Sequence, residues 1–295
     1  TTVFVNGTEV GQWKYGYTSF WFDITDALHE GQNEVLVRCN LRHPNSRWYS
    51  GAGLYRNVEL WEAPDLHLMP DGLYVAAKEG DNGAWTVAVT AEVGSVTAAS
   101  TGRTLTLHLT DDNGSLLGTA AIPADAWAAL PSPDGWRTGK ETAIYKASHT
   151  FTLQDPALWD LDAPSFYHIT AELTGADGVT DTLTTRFGCR TIEATPDCGL
   201  LVNHKRVLIK GVCIHHDFGC LGSAFEYSAA KRQLEILKSM GVNSIRTGHT
   251  PPAPQFMDLA DEMGILMDVE SFDCWRSGKN PYDYGRFFDE WQEKD

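Results

Sequence analysis

The stretch Val207-Leu-Ile-Lys-Gly-Val-Cys-Ile-His-His-Asp217 decides the fold class, because an apolar run with a β-branched bias stops abruptly at ionisable residues. A run of this kind is typical of a strand that is buried on both faces. Apolar residues then recur at helical spacing from Ser228 to Met240, and Gly241 stands where glycine commonly ends a helix. The pattern predicts a strand over 207–214 followed by a helix.

The same alternation continues downstream. Val242 to Arg246 predicts a second strand, the apolar stripe from Phe256 to Met263 a second helix, and Ile265 to Glu270 a third strand. Strands that alternate with helices through short connections pair in parallel, as they do at the start of a (β/α)8 barrel. A last helix is predicted from Tyr284 to Lys294.

Ionisable residues stand at the ends of these predicted strands. His215 follows the first strand, Arg246 ends the second with His249 close behind it, and Glu270 ends the third. In a barrel of this type the functional groups lie at the carboxyl ends of the strands. The sequence therefore predicts that these four side chains point into one site.

Segments spread along the chain resemble motifs of glycoside hydrolase family 2, which includes β-galactosidases, β-glucuronidases and β-mannosidases. They are Gly51-Ala-Gly-Leu-Tyr-Arg-Asn-Val58, Leu158-Trp159 with Ser165-Phe-Tyr167, Arg186-Phe-Gly-Cys-Arg190, Asn203 to Asp217, Lys238 to Pro251 and Asp261-Glu-Met-Gly-Ile265. Because the segments follow the order of the family's motifs, the resemblance covers nearly the whole chain.

The resemblance implies a multi-domain chain. Residues 1–64 would be the C-terminal part of a jelly-roll sugar-binding domain, 65–192 an immunoglobulin-like β-sandwich, and 193–295 the N-terminal portion of a TIM-barrel catalytic domain. It also implies that the chain starts partway through the first domain and stops after the third barrel strand.

Period-2 alternation supports antiparallel β structure before the barrel, although spacing alone favours only a sandwich. Strands are predicted at Thr2 to Val5, Ser19 to Phe22, Glu34 to Arg38, Leu105 to Leu109 and Tyr167 to Leu173. Turn residues are predicted at Ala176 to Gly178 and an exposed insertion at Pro123 to Gly139. Ala194 to Gly199 is predicted to be the linker to the barrel.

Two carboxyl groups about 5 Å apart carry out retaining glycoside hydrolysis, one as proton donor and one as nucleophile. The resemblance puts both glutamates on barrel strands four and seven, beyond Asp295. No catalytic residue is therefore assigned within this chain, and these residues alone are expected to be inactive.

The resemblance assigns substrate-binding roles to residues that are present. His215 would hydrogen-bond the sugar, His249 would contact it from the next loop, and Arg246 would keep the nucleophile ionised. Further candidates are Glu270, which would orient groups in the pocket, and Arg47 and Trp275, which would contact the substrate. Each has a structural alternative: Arg246 could pair with Asp268, and Trp275 and Trp48-Tyr49 could be core residues. His216 could be a solvated loop residue, and Arg56 is expected to be structural.

Composition excludes some partners. The formal net charge is −16 with a pI near 4.9, so phosphate backbones would be repelled and nucleic acid is not an expected partner. No apolar run approaches the ~18 residues that a membrane span needs. The expected partner is a β-linked oligosaccharide or glycoside, and the full-length protein is expected to be a homo-oligomer.

The cysteines lack the spacing of a metal or disulfide framework. Cys213, His215, His216 and Cys220 could be imagined as a zinc cluster, but Cys213 and His216 are predicted on opposite strand faces. No cofactor is expected to be required, although Mg²⁺ or Na⁺ could bind in the full-length enzyme. The chain departs from the family where Cys213-Ile214 replaces the usual Asn-Arg, so metal ligands are not carried over. Free thiols favour a reducing compartment such as the bacterial cytoplasm.

The function that these residues favour is retaining hydrolysis of terminal β-galactosides. The choice of galactose rests on resemblance around His215 to Gly222 and Lys279 to Tyr284 to bacterial β-galactosidases. The alternatives are a β-glucuronidase, a β-mannosidase, or a carbohydrate-binding module without activity.

Overall fold

A computed structural model describes residues 1–48, 50–96, 102–131, 139–175 and 178–295. Within these ranges the strands are β1 (Thr2–Val5), β2 (Thr8–Gln12), β3 (Val35–Arg38), β4 (Leu66–Glu79), β5 (Ala84–Ser95), β6 (Thr104–Asp111), β7 (Leu116–Pro123), β8 (Ala128–Ala129), β9 (Ala143–Gln154), β10 (Tyr167–Gly175), β11 (Gly178–Phe187), β12 (Ile192–Thr195), β13 (Gly199–Val202), β14 (Lys205–Arg206), β15 (Gly211–Ile214), β16 (Ser244–Thr247) and β17 (Leu266–Val269). The α-helices are α1 (Tyr227–Ser239), α2 (Pro254–Glu262) and α3 (Phe288–Trp291).

The described residues form two compact units. One unit contains Thr1–Glu59 and Lys210–Asp295, and the other contains the described residues of 60–131 and 140–209. The domain boundaries expected from the sequence stay predictions, as do the jelly-roll and immunoglobulin-like assignments.

The second unit is an antiparallel β-sandwich. One sheet has the order β11-β10-β6-β7 and the other the order β4-β5-β9-β8. Alternate residues of β5, β6 and β10 point inward and are almost fully buried, among them Val87, Leu107 and Ile169. The two inner faces share one hydrophobic core, as the period-2 alternation of 105–109 and 167–173 predicts. The turn predicted at 176–178 falls partly on residues 176 and 177, which lie outside the described residues.

Two connections of this unit are more ordered than predicted. The insertion predicted at 123–139 is exposed at most of residues 123–131. It is anchored, however, because Trp127 is buried, its Nε1 donates to Ile122 O at 3.0 Å, and β8 pairs with β9. Residues 132–138 lie outside the described residues. The predicted linker at 194–199 is instead the turn of the β12–β13 hairpin, where Cys198 N donates to Thr195 Oγ1 at 3.1 Å.

The N-terminal part of the first unit is a small antiparallel sheet with an aromatic cluster. The sheet has the order β2-β1-β3, which confirms the strands predicted at 2–5 and 34–38. The strand predicted at 19–22 is wrong. Phe20 stacks on Trp13 at 5.6 Å and Phe22 contacts Phe20, so these apolar residues serve a ring cluster rather than a sheet face.

The C-terminal part of the first unit is a parallel sheet covered by helices. β15, β16 and β17 pair in that order, with Cys213 beside Arg246 and Arg246 beside Asp268. Leu234 of α1 and Leu259 of α2 are buried against this sheet. The strand-helix alternation predicted from the sequence is therefore confirmed, and the fold class contains a β-sandwich and part of a TIM barrel.

The first and last predicted elements of this region are shorter than expected. The strand predicted over 207–214 begins only at Gly211, because Lys210 N donates to Asn243 Oδ1 and Val207 N to Leu200 O. The helix predicted from 284 to 294 is a 3-10 turn at Tyr284–Arg286 followed by the single α-helical turn α3. Across the described ranges, every helix falls short of the length and apolar character that a membrane span requires.

Candidate active site

The predicted site residues lie at the carboxyl edge of the parallel sheet. His215 directly follows β15, Arg246 is the third residue of β16, His249 follows that strand by two residues, and Glu270 directly follows β17. The loops after β15 and β16 are joined by the backbone, since Gly248 N donates to Ile214 O at 2.9 Å. Because β15, β16 and β17 pair in parallel without a shift in register, their carboxyl ends lie together.

Glu270 is the centre of a hydrogen-bond network at this edge. Arg246 donates to Glu270 Oε1 from Nε at 3.0 Å and also from Nη2. His249 Nδ1 lies 2.8 Å from Glu270 Oε2 and 3.2 Å from Arg246 Nη2. Because an ionised carboxylate only accepts, we assign the proton to Nδ1, which makes the shorter contact a hydrogen bond to Glu270. In a neutral ring, the other nitrogen, Nε2, is then an acceptor. The alternative that Arg246 pairs with Asp268 is not what the structure shows, because the ion-pair partner is Glu270.

The network fixes the charge of its members. Burial alone would raise the pKa of Glu270, but hydrogen bonds from His249 and Arg246 outweigh it and hold this pKa below its usual value. Contacts with the Cys213 thiol and with Glu270 raise the pKa of Arg246. Arg246 and Glu270 are therefore an ionised pair at neutral pH, and the guanidinium is held at a fixed orientation.

His215 lies beside this network rather than within it. Its ring is 5.4 Å from that of His249 at an interplanar angle of 78°, an edge-to-face contact. Trp48 contacts both imidazoles, with ring centroids 5.8 Å from His215 and 5.2 Å from His249. Two imidazoles and an indole therefore form one wall at the strand ends. Tyr49, named with Trp48 in the sequence analysis, lies outside the described residues.

A cavity of about 550 Å³ opens at the network, which is enough for a sugar ring. Five of the six predicted substrate-binding residues line it: Arg47, Arg246, His249, Glu270 and Trp275. His215 does not line this cavity. Trp275 is 59% exposed, so the alternative that it is a core residue is wrong.

The loop after β17 contributes residues that the sequence analysis did not identify. Asp273 Oδ1 forms ion pairs with Lys279 Nζ at 2.9 Å and with Arg47 Nη2 at 3.6 Å. All three residues line the cavity. Burial would raise the pKa of Asp273, but its hydrogen bonds with Lys279 and Cys274 lower it below its usual value. The available signal was sequence proximity, because Asp273 follows Glu270 by three residues.

His216 and Arg56 both bond with the loop that carries His249. His216 is partly buried and bonded to Thr250 Oγ1 at 2.8 Å, so the alternative of a solvated loop residue is wrong. Arg56 donates to two backbone carbonyls, of Tyr17 and Pro251. Its expected structural role agrees with these contacts.

The cysteine and histidine residues considered for zinc are engaged elsewhere. Cys213 Sγ accepts from Arg246 Nη1 at 3.5 Å, and His216 is engaged by Thr250. Among the described residues no three His, Cys, Asp or Glu side chains are arranged to hold a metal ion. Metal binding by the full-length enzyme stays a prediction.

Comparison with known proteins identifies the family. Two family models match, "Glycosyl hydrolases family 2" over residues 71–190 and "Glycosyl hydrolases family 2, TIM barrel domain" over 194–284. This chain belongs to glycoside hydrolase family 2. The family membership predicted from the motifs around Arg246 and His249 is thereby confirmed.

Relatives within family 2 carry more than one activity in their names. The chain is 37% identical to "Beta-galactosidase BoGH2A" of Bacteroides ovatus over 99% of its length, and 32% identical over 99% to a "Putative beta-glucuronidase" of Formosa agariphila. A crystal structure of a beta-glycosidase from Bacteroides vulgatus matches with a TM-score of 0.85, 31% identity and 100% of this chain covered. The chain spans 33%, 26% and 36% of these proteins, respectively.

Proposed function

We propose that the protein containing this chain is an exo-acting glycosidase that removes a terminal β-galactosyl group with retention of configuration. The observation that carries the proposal is the Arg246–Glu270–His249 network at the carboxyl ends of parallel strands, facing a cavity of about 550 Å³. A set of fixed, charged hydrogen-bonding groups at this edge of a barrel is typical of a catalytic pocket.

The proposed roles follow from the chemistry of each group. Arg246 is held ionised and oriented by Glu270, so a carboxylate nucleophile placed beside it would have a lowered pKa and stay ready for attack. His249 and His215 would hydrogen-bond sugar hydroxyls, and such bonds catalyse only if they strengthen in the transition state. The nucleophile and the proton donor are proposed to come from glutamates beyond Asp295. No metal ion is given a step.

The galactose specificity is supported by two observations. The segments from His215 to Gly222 and from Lys279 to Tyr284 resemble those of bacterial β-galactosidases, and the relative from Bacteroides ovatus is named a beta-galactosidase. In the structure, Lys279 bonds with Asp273 in the loop after β17, and both residues line the cavity. A loop at the rim of a barrel is where substrate selection is expected to reside.

A β-glucuronidase is the second candidate. The relative from Formosa agariphila is named a putative beta-glucuronidase, and cationic side chains line the cavity, as recognition of a sugar carboxylate requires. Against it, Arg47 and Lys279 lie within 4 Å of Asp273, and Arg276 pairs with Asp289. These cations are therefore partly neutralised by the protein itself.

A panel of p-nitrophenyl β-glycosides tests the proposal with the full-length protein. The galactoside should give the highest kcat/KM, and the product released first should be the β-anomer by proton NMR. A preference for the glucuronide would select the second candidate, and release of the α-anomer would contradict retention. Absence of turnover on every glycoside, with measurable sugar affinity in the isolated residues 1–192, would favour a binding module instead.

A further inference from the structure

Arg56 bonds with the loop after β16, which carries His249. Arg56 donates from Nη1 to Tyr17 O at 2.5 Å and from Nη2 to Pro251 O at 2.7 Å. Its guanidinium carbon lies 4.9 Å from the ring centre of Tyr55, a cation-π contact. Among the described residues no Asp or Glu forms an ion pair with it. Arg56 is partly buried, and burying a cation without a counter-ion costs free energy. Such a residue is a candidate for a role beyond stability.

His216 occupies the adjacent position. Its Nε2 lies 2.8 Å from Thr250 Oγ1, and its ring stacks on that of Tyr17 at 5.4 Å and 25°. Thr250 is almost fully buried, with 2% of its surface exposed. Burial, the nearby Arg56 charge and His215 lower the pKa of His216 to about 4. The imidazole is therefore neutral at physiological pH.

Both contacts fall directly beside the two imidazoles that contact Trp48, of which His249 also lines the cavity. His216 is the chain neighbour of His215, while Thr250 and Pro251 immediately follow His249. Arg56 bonds with the loop after β16 at Pro251, and His216 joins the loop after β15 to the same loop through Thr250. Trp48 contacts both imidazoles. The segment that carries Arg56 and the barrel strands belong to the same compact unit.

We propose that Arg56 and His216 are positioning residues, which clamp the loops after β15 and β16 so that His215 and His249 keep their orientation toward the bound sugar. The catalytic consequence of this clamp rests on the proposed glycosidase function. The clamp itself does not, because it predicts a local change in backbone protection that any function would allow.

The kinetic test uses the full-length enzyme. Arg56→Met should lower kcat/KM by about 10- to 100-fold, mainly through kcat, since a misplacement of about 1 Å is costly in this way. Arg56→Lys should restore part of the loss, because an ammonium can still donate to one of the two carbonyls. Arg232→Met, which removes an exposed arginine of α1, is the matched control and should match the wild type.

The hydroxyl of Thr250 offers a second pair of variants. Thr250→Val keeps the shape but removes the partner of His216, whereas Thr250→Ser keeps the hydroxyl. Valine should lower kcat at least about tenfold more than serine if the contact positions His249, with similar thermal unfolding for both. Equal kcat values for the two variants would contradict the assignment of His216.

Hydrogen exchange measured by mass spectrometry separates the clamp from a general packing role. In Arg56→Met, amides of residues 247–253 should exchange faster, while those of α1 should keep wild-type protection. Unchanged exchange at 247–253, or loss of protection spread over the whole unit, would overturn the proposal. An inactive wild type would refute the glycosidase function alone, and the exchange result would still decide for or against the clamp.

Discussion

Replacing Glu270 with glutamine tests whether the network at the strand ends depends on a carboxylate charge. Glu270 accepts two hydrogen bonds from Arg246 at Oε1 and one from His249 at Oε2. Glutamine keeps one oxygen for Arg246 but turns an N–H group toward the His249 N–H. A hydrogen bond to an ionised group contributes about 1.5–3 kcal/mol when it is well buried. The Glu270 side chain is 27% exposed, so we expect a loss of about 1–2 kcal/mol at pH 7.

The loss should depend on pH in a defined direction. The pKa of Glu270 is lowered in the folded protein by hydrogen bonds from His249 and Arg246, against the raising effect of burial. Its stabilising contribution is therefore complete above the unfolded pKa and disappears as the pH falls through the folded pKa. The difference between wild type and Glu270→Gln should be full at pH 6–7 and shrink below about pH 4.5.

Urea unfolding of the full-length protein, followed by tryptophan fluorescence, measures this difference. Trp48 and Trp275 adjoin the network and report on its opening. The kcat should fall by about one to two orders of magnitude, because Arg246 loses the group that orients it. Glu290→Gln changes an exposed glutamate on α3 and should match the wild type. A pH-independent loss of stability, or an unchanged kcat, would refute this account of Glu270.

Three further predictions concern other parts of the chain. Asp283→Asn should cost about 1–3 kcal/mol in urea unfolding, because the buried carboxylate accepts hydrogen bonds from the backbone of Lys279, Asn280 and Gly285. Burial raises the pKa of Asp283, but these hydrogen bonds outweigh it and lower the pKa below its usual value, so the loss should shrink below about pH 4. His204→Gln should lower the thermal stability of the sandwich unit below pH 6 but not above pH 8. A hydrogen bond to Glu79 raises the pKa of His204. The stabilisation by His204 is therefore present below its unfolded pKa and is lost as the pH rises through its folded pKa. Leu107→Ala should cost about 2–5 kcal/mol in urea unfolding, since Leu107 is fully buried between the two sheets. Leu117 is exposed, so a smaller loss for Leu107→Ala than for Leu117→Ala would contradict the assigned core.

Local patterns predicted the second and third barrel strands and both helices well, because each depends on residues close in sequence. The first strand is shorter than predicted, and Leu208 and Ile209, which were expected to be buried in it, are exposed. The stripe from Phe256 to Met263 and the glycines Gly241 and Gly264 define helices whose buried faces the structure reproduces. The same reasoning failed at 19–22, where alternating aromatic residues pack on Trp13 instead of pairing with a strand. Alternation records which side chains are buried, and a sheet is only one way to bury them.

The contacts within the candidate site were less accessible to local reasoning. The strand ends predicted Arg246, His249 and Glu270 as neighbours, but the sequence left Asp268 as an alternative partner of Arg246. In the parallel sheet Asp268 lies beside Arg246 along the strands, yet the long guanidinium extends toward the carboxyl edge and bonds with Glu270 instead. Register fixes which Cα atoms are adjacent, whereas side-chain length and the position of the strand end decide which charges meet.

Residues far apart in the chain converge on the site for a reason that local sequence patterns do not carry. Arg56 reaches Pro251 across 195 positions, and Arg47 lies near Asp273. No periodicity links such residues. The family's motif marks the segment around Arg56, but only the folded chain brings Arg56 next to Pro251. Under the proposed clamp there are two physical reasons for an arginine at position 56: its hydrogen bond to Pro251 O orients the imidazoles at the barrel edge, and its side chain packs against the ring of Tyr55. Arg56→Lys then discriminates between the two reasons, since it nearly preserves the volume while changing the hydrogen-bond geometry.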